Sequence, residues 1–285
     1  ARDLDRAGRS QSPPSVFCLT KLNLLRKRIM KYGIRNRALK MDGPDAMKAA
    51  AEIGFDGIEL IVGSEEELLH LQTEEGIKET SEWRESSGCV ISSLSVASFR
   101  QFHFALPDVP VERSVQFVET SLRAALACGG AGALLPHFEP ESIDIDPAAE
   151  AAYIDGFRRC APIAEELQIH AMLETSFSTE QLVRIIDGAG SPYIGVYQDV
   201  ANALHYGHEP VAQCLQLGKR IPMIHIKEFG GDLLGEGDVD WDKNMEAIRQ
   251  IGYDGWLVLE TKPTDDPIQA AGKNLEFLKE LVGRI

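Results

Sequence analysis

From Lys31 onward, short apolar runs alternate eight times with longer segments of helical character, and this order narrows the accessible folds more than any other feature of the chain. The runs start at Lys31, Gly57, Val90, Ala133, His170, Ile194, Pro222 and Trp256. Helices are predicted over 44–53, 65–86, 111–128, 148–167, 179–187, 210–217 and 241–251, with a last one over 267–282. Strands separated by helices pair in parallel, and their near-continuous apolar character fits a sheet covered on both faces. A local repeat supports the scheme: 51–60 resembles 249–258, each a helix stop at Gly, a short loop and a strand start. A doubly wound open sheet is the competing arrangement, but no Gly-x-Gly-x-x-Gly or phosphate-binding loop follows any strand. Eight strands and eight helices in strict order therefore predict an α/β fold, a single-domain (β/α)8 TIM barrel over 30–285 preceded by an N-terminal extension, 1–29.

The extension carries seven Lys/Arg against two Asp/Glu, so of a formal charge of −15 the remainder holds −20. Three readings stand for it: a stretch upstream of a natural start at Met30, an arm packing on the barrel or on a partner subunit, or a targeting peptide. So acidic a body argues against nucleic acid as a partner, since phosphate-backbone binding relies on clustered Lys and Arg. No apolar run of 18 residues exists, so no membrane partner is expected. The five cysteines are scattered and never spaced Cys-x-x-Cys, which predicts reduced, buried thiols and a cytoplasmic location.

Four of the runs end in a potential metal ligand: Glu174, Asp199, His225 and Glu260. A carboxylate such as Glu260 at the end of Trp256-Leu-Val-Leu is costly to bury unless a cation meets it. In a parallel barrel the C-terminal strand ends share one rim, so strands 5 to 8 would present these four side chains along one arc. Alternation agrees, because Met172 with Glu174, Met223 with His225 and Val258 with Glu260 share a face. Three carboxylates with one imidazole form a hard, oxygen-rich set, for which a single divalent metal ion is the natural counter-charge. Mn²⁺ or Mg²⁺ suits it best, and the imidazole admits Co²⁺ or Zn²⁺.

Met172-Leu-Glu-Thr175, Tyr197-Gln-Asp-Val-Ala-Asn202, His225-Ile-Lys-Glu228, 234–241 and Leu259-Glu260 resemble the xylose isomerase-like sugar isomerase/epimerase barrels. That family includes ketose 3-epimerases, hydroxypyruvate isomerases and inosose dehydratases, and the resemblance runs from Met30 to the C-terminus. It implies Glu174, Asp199, His225 and Glu260 as metal ligands, with Glu174 and Glu260 as the catalytic acid/base pair. The implied activity is isomerisation or epimerisation of a sugar or sugar phosphate through a cis-enediolate. It also places Glu180 at the reacting end of a carbohydrate substrate. Two positions depart from the ketose 3-epimerase pattern: Asn202 replaces a histidine, and Gly231 replaces an arginine. Asn202 is shared with sugar-phosphate epimerases of the group and remains a substrate-binding candidate.

Lys227, on the same face as His225, can reach an anionic group of a substrate or pair with a rim carboxylate. His103 after strand 3, His137 at the end of strand 4 and Glu59 at the end of strand 2 complete the expected substrate-binding residues. His205 and His208, in the loop after strand 6, read as having no role in the site. The alternatives are an inosose-type dehydratase on the same ligands, a metal-binding barrel without catalysis, and a metal-dependent endonuclease of the same superfamily. The endonuclease requires several further histidines, and Asp238-Val-Asp240 lacks an Asp-x-His pair. The sequence leaves homo-oligomerisation open.

Overall fold

A computed structural model describes residues 30–138 and 144–285. Expectations for residues 1–29, Cys18 included, lie outside the described residues. Eight parallel strands close in sequence order into one barrel, β1 pairing with β8. They are β1 (Lys31–Arg35), β2 (Gly57–Val62), β3 (Val90–Val96), β4 (Gly132–His137), β5 (His170–Thr175), β6 (Ile194–Asp199), β7 (Met223–Ile226) and β8 (Trp256–Leu259).

Between them and after them lie α1 (Gly43–Ile53), α2 (Glu65–His70), α3 (Glu74–Ser87), α4 (Val111–Ala127), α5 (Pro147–Leu167), α6 (Thr179–Ala189), α7 (Val200–His205), α8 (Pro210–Leu217), α9 (Trp241–Gln250) and α10 (Pro267–Gly283). The long helix expected over 65–86 is two helices. The Thr73 side chain accepts the Gly76 N–H and starts α3 afresh, and a Cβ on Gly76 would stand 2.2 Å from the His70 carbonyl oxygen. The helix α7 was not anticipated; Asp199 caps it by accepting the Asn202 N–H at 2.7 Å.

Two apolar layers hold the barrel. Leu134, Met172, Tyr197, Met223, Trp256 and Val258 fill its interior below the rim. The outward faces of the strands pack on the helices in one larger core. Trp256 needs space inside the barrel, and Gly57 leaves it: a Cβ there would meet the indole at 2.8 Å. Between β2 and β3 the register slips, Ile58 opposing Ile91 and Glu59 opposing Ser93, so Ser92 is extruded and Ser93 stands beside Glu59. The four described cysteines are free and buried. No described helix is long and apolar enough to cross a membrane.

Candidate metal centre

Strands β5, β6, β7 and β8 bring Glu174, Asp199, His225 and Glu260 together at the rim. One ligand atom from each lies within 4.8 Å of every other. Oxygen ligands about 2.0–2.6 Å from one ion lie at most about 5 Å apart, so this separation suits a shared divalent cation. His225 Nδ1 stands 3.3 Å from Glu174 Oε1, 3.3 Å from Glu260 Oε2 and 3.9 Å from Asp199 Oδ2. Asp199 Oδ2 is buried and has no hydrogen-bond donor among the described residues. A buried carboxylate oxygen left so is costly, and an ion at this point would satisfy it. The donor set therefore fits a metal on both geometry and chemistry.

Beneath the four lies a layer absent from the sequence reading. Glu59 has no exposed surface and accepts the His225 Nε2–H at 3.0 Å and the Ser93 hydroxyl at 2.9 Å. The expectation that it contacts substrate gives way: its side chain faces inward as predicted, but is fully buried beneath the four and turned to His225. With Nε2–H committed to Glu59, Nδ1 is the nitrogen free to bind an ion. Burial works against the Glu59 charge, but the neighbouring His225 and Arg35 outweigh it and hold the carboxyl at about 2. Burial likewise opposes a charged His225, and Glu59 and Glu174 override it, raising the imidazole to about 9. Burial pushes the Asp199 carboxyl up, against the pull of Lys227.

Arg35, at the end of β1, was also missed. Its guanidinium pairs with Glu260, lies 3.6 Å from Glu59 Oε1 and donates to Ser95 Oγ at 2.9 Å. Parity with Gly33 is shared by any strand-end charge, and the Arg35↔Glu59 register arises only when β1 and β2 pair. Lys227 enters the site as its parity required, with Nζ 3.1 Å from Asn202 Oδ1, 3.5 Å from Glu260 Oε2 and 3.7 Å from Asp199 Oδ2. Asn202 in turn donates from Nδ2 to Glu174 Oε1 at 3.0 Å.

Arg35, Glu174, Asn202, Lys227 and Glu260 line one cavity of about 650 Å³, with Phe138, Tyr206 and Phe229 along its wall and His205 at the helix end beside them. His205 thus belongs to the cavity, contrary to expectation, whereas His208 bonds the Ser176 carbonyl. The wall from β7 to α9 is fixed by Glu228. This buried carboxylate accepts the backbone N–H of Phe229, Gly235 and Val239 and the indole N–H of Trp241, at 2.7–3.1 Å.

Three expected substrate contacts lie elsewhere. On β4 it is Pro136 that opposes Glu174 and lines the cavity, so His137 alternates outward, where Tyr153 of α5 hydrogen-bonds its Nδ1. Burial lowers that imidazole to about 4. His103 stacks on His137 with ring centres 4.0 Å apart, in the same helical layer. Glu180 is exposed on the first turn of α6, away from the cavity lining.

Known proteins resemble the chain along most of its length. The Escherichia coli (strain K12) protein SgbU is 26% identical over 262 residues, 84% of this chain and 91% of SgbU. L-ribulose-5-phosphate 3-epimerase UlaE of Escherichia coli (strain SE11) is 21% identical over 258 residues, 82% of this chain and 88% of UlaE. Among solved structures, D-allulose 3-epimerase from Methylomonas sp., in complex with D-allulose, superposes with a TM-score of 0.73 at 20% identity, covering 88% of this chain and 97% of that one. The IOLI protein with a bound zinc atom gives a TM-score of 0.74 at 15% identity, covering 90% and 99%. The profile of one family, the xylose isomerase-like TIM barrels, matches residues 47–281. With that match and a closed eight-stranded parallel barrel, the chain belongs to the xylose isomerase-like TIM barrel family.

Proposed function

We propose that the chain is a divalent-metal-dependent epimerase or isomerase acting on a keto-sugar or its phosphate. The observation that carries this reading is the convergence of Glu174 and Glu260, which line one cavity, with the buried Asp199 and His225 beside them. Glu174, Asp199, His225 and Glu260 would hold the cation, Mn²⁺ or Mg²⁺ by the preponderance of carboxylate oxygen, and when bound it supplies Lewis acidity toward a ketone oxygen and the adjacent hydroxyl. The IOLI protein, a barrel of the same fold with a bound zinc atom, supports the reading that such a barrel can hold a metal. D-allulose 3-epimerase and L-ribulose-5-phosphate 3-epimerase support the substrate class.

The proton transfers fall to the chain's own residues. Glu174 comes from β5 and Glu260 from just beyond β8, so they enter the cavity from different walls. One carboxylate removes the proton from the carbon beside the carbonyl. The other, entering the step as the carboxylic acid, gives its proton to the opposite face, which epimerises, or to the neighbouring carbon, which isomerises. Arg35 and Asn202 hold the two carboxylates in place by separate contacts. The aromatic wall of Phe138, Tyr206 and Phe229 offers an apolar surface to the carbon-bound hydrogens of a sugar.

The test is a panel of ketoses, ketose phosphates and an inosose incubated with the protein and Mn²⁺ in D₂O, with exchange of the α-proton followed by NMR. At least one ketone should exchange, and Glu174→Gln and Glu260→Gln should each slow it by about 100-fold or more. Loss of water from the inosose in place of exchange would assign a dehydratase. A panel without exchange, together with an inert Glu260→Gln, would remove the proton-transfer reading.

A further inference from the structure

We propose that Asn202 is a positioning residue through which Lys227 fixes the orientation of Glu174; this rests on the acid/base reading of Glu174 given above. The geometry carries the idea through the donor and acceptor inventory. A lysine ammonium has donors only, so the amide atom 3.1 Å from Lys227 Nζ is Oδ1, the acceptor. Nδ2 must then face the other way, and there it meets Glu174 Oε1 at 3.0 Å. Rotating the amide by 180° would set NH₂ against an ammonium and C=O against a carboxylate, two repulsive contacts in place of two attractive ones. Lys227 thereby locks the amide, and the amide locks the carboxylate.

The backbone of Asn202 is held independently, because its N–H donates to Asp199 Oδ1 at 2.7 Å on the first turn of α7. The side chain thus starts from a fixed Cα, and both of its amide atoms have a dedicated partner. The Asn202 tie falls on Glu174 Oε1, the same oxygen that lies 3.3 Å from His225 Nδ1 at the centre of the cluster. Asn202 thus takes part as a strut between two side chains of the cavity, a role different from direct contact with substrate.

A double-mutant cycle of Asn202→Ala and Lys227→Met tests it, read first as Mn²⁺ affinity by calorimetry in the absence of any sugar. In the wild-type background Asn202→Ala should weaken Mn²⁺ binding by about 10-fold to 100-fold, as loss of a partner that orients a ligand does. In the Lys227→Met background the same substitution should change it by less than about 3-fold, because the amide is no longer locked. Asn202→Ala should also lower kcat for exchange by about 10-fold with little change in KM. Equal losses of Mn²⁺ affinity in the two backgrounds would overturn the proposal. So would a rise in KM with Mn²⁺ binding unmoved, which would make Asn202 a substrate contact. Both side chains are partly exposed, and thermal denaturation with circular dichroism checks that each variant is folded. If no ketone exchanges, the functional reading fails while the Mn²⁺ cycle still decides the role of Asn202.

Discussion

Replacing Glu59 by Gln probes the buried layer with almost no change of shape. The carboxylate is 3.0 Å from His225 Nε2 and 3.6 Å from Arg35 Nε, and it has no exposed surface. Its carboxyl is held at about 2 in place of the ordinary 4.5, and the imidazole is raised from 6.5 to about 9. Both displacements describe one pair, and each corresponds to about 3 kcal/mol. The Glu59 contribution is complete above its ordinary 4.5 and is lost as pH falls toward about 2. The His225 contribution is complete below its ordinary 6.5 and is lost as pH rises through about 9. In urea unfolding with a chelator present, Glu59→Gln should therefore be less stable than wild type by about 3 kcal/mol near pH 6, and the difference should shrink toward pH 10. Mn²⁺ binding should weaken by about 10-fold to 100-fold, since the amide holds His225 less firmly than the carboxylate. If Glu59→Gln matched wild type in both urea stability at pH 6 and Mn²⁺ affinity, Glu59 would have no part in orienting the ligand.

Glu228→Gln turns an acceptor of four N–H groups into a group that is half donor. It should cost about 2–4 kcal/mol and speed hydrogen exchange across 229–241 while leaving that of strands β5 and β6 unchanged. Gly156→Ala would place a Cβ 2.2 Å from the Phe104 ring, and a drop in Tm of several degrees, about 2 kcal/mol or more, is expected by calorimetry. The thiols of Cys89 and Cys214, pushed up by burial to about 11 and about 12, should react with a disulfide reagent only as the protein unfolds, together with those of Cys128 and Cys160. Mn²⁺ at about 100 times its dissociation constant should stabilise the metal-free protein by about 2.7 kcal/mol, an increase of about 5 °C in Tm that chelation reverses.

The four ligand candidates were legible because each depends on local information. A strand alternates with period 2, so Met223 inside the barrel implies His225 inside, and the order of strands places the ends of β5 to β8 along one arc. Where alternation was ambiguous the reading went wrong. Leu134 and Leu135 are equally apolar, so nothing in β4 itself says that Leu134 and Pro136 face inward and His137 outward. The break between α2 and α3 was hidden for a related reason: Leu71 and Gln72 are acceptable in a helix, and the restart depends on Thr73 capping its own next turn.

Depth is a different quantity from direction, and only direction follows from alternation. Glu59 faces inward as read, yet how far below the ligands it lies is set by the stagger of the barrel and by the slip that extrudes Ser92. Its bond to His225 joins residues 166 positions apart, and the pairing of Arg35 with Glu260 needs β1 closed against β8. Strands 5 to 8 therefore announce the candidate ligands, whereas strands 1 to 3 supply Arg35, Glu59 and Ser93 around them. No local pattern distinguishes those groups from ordinary strand-end charges until the barrel is closed.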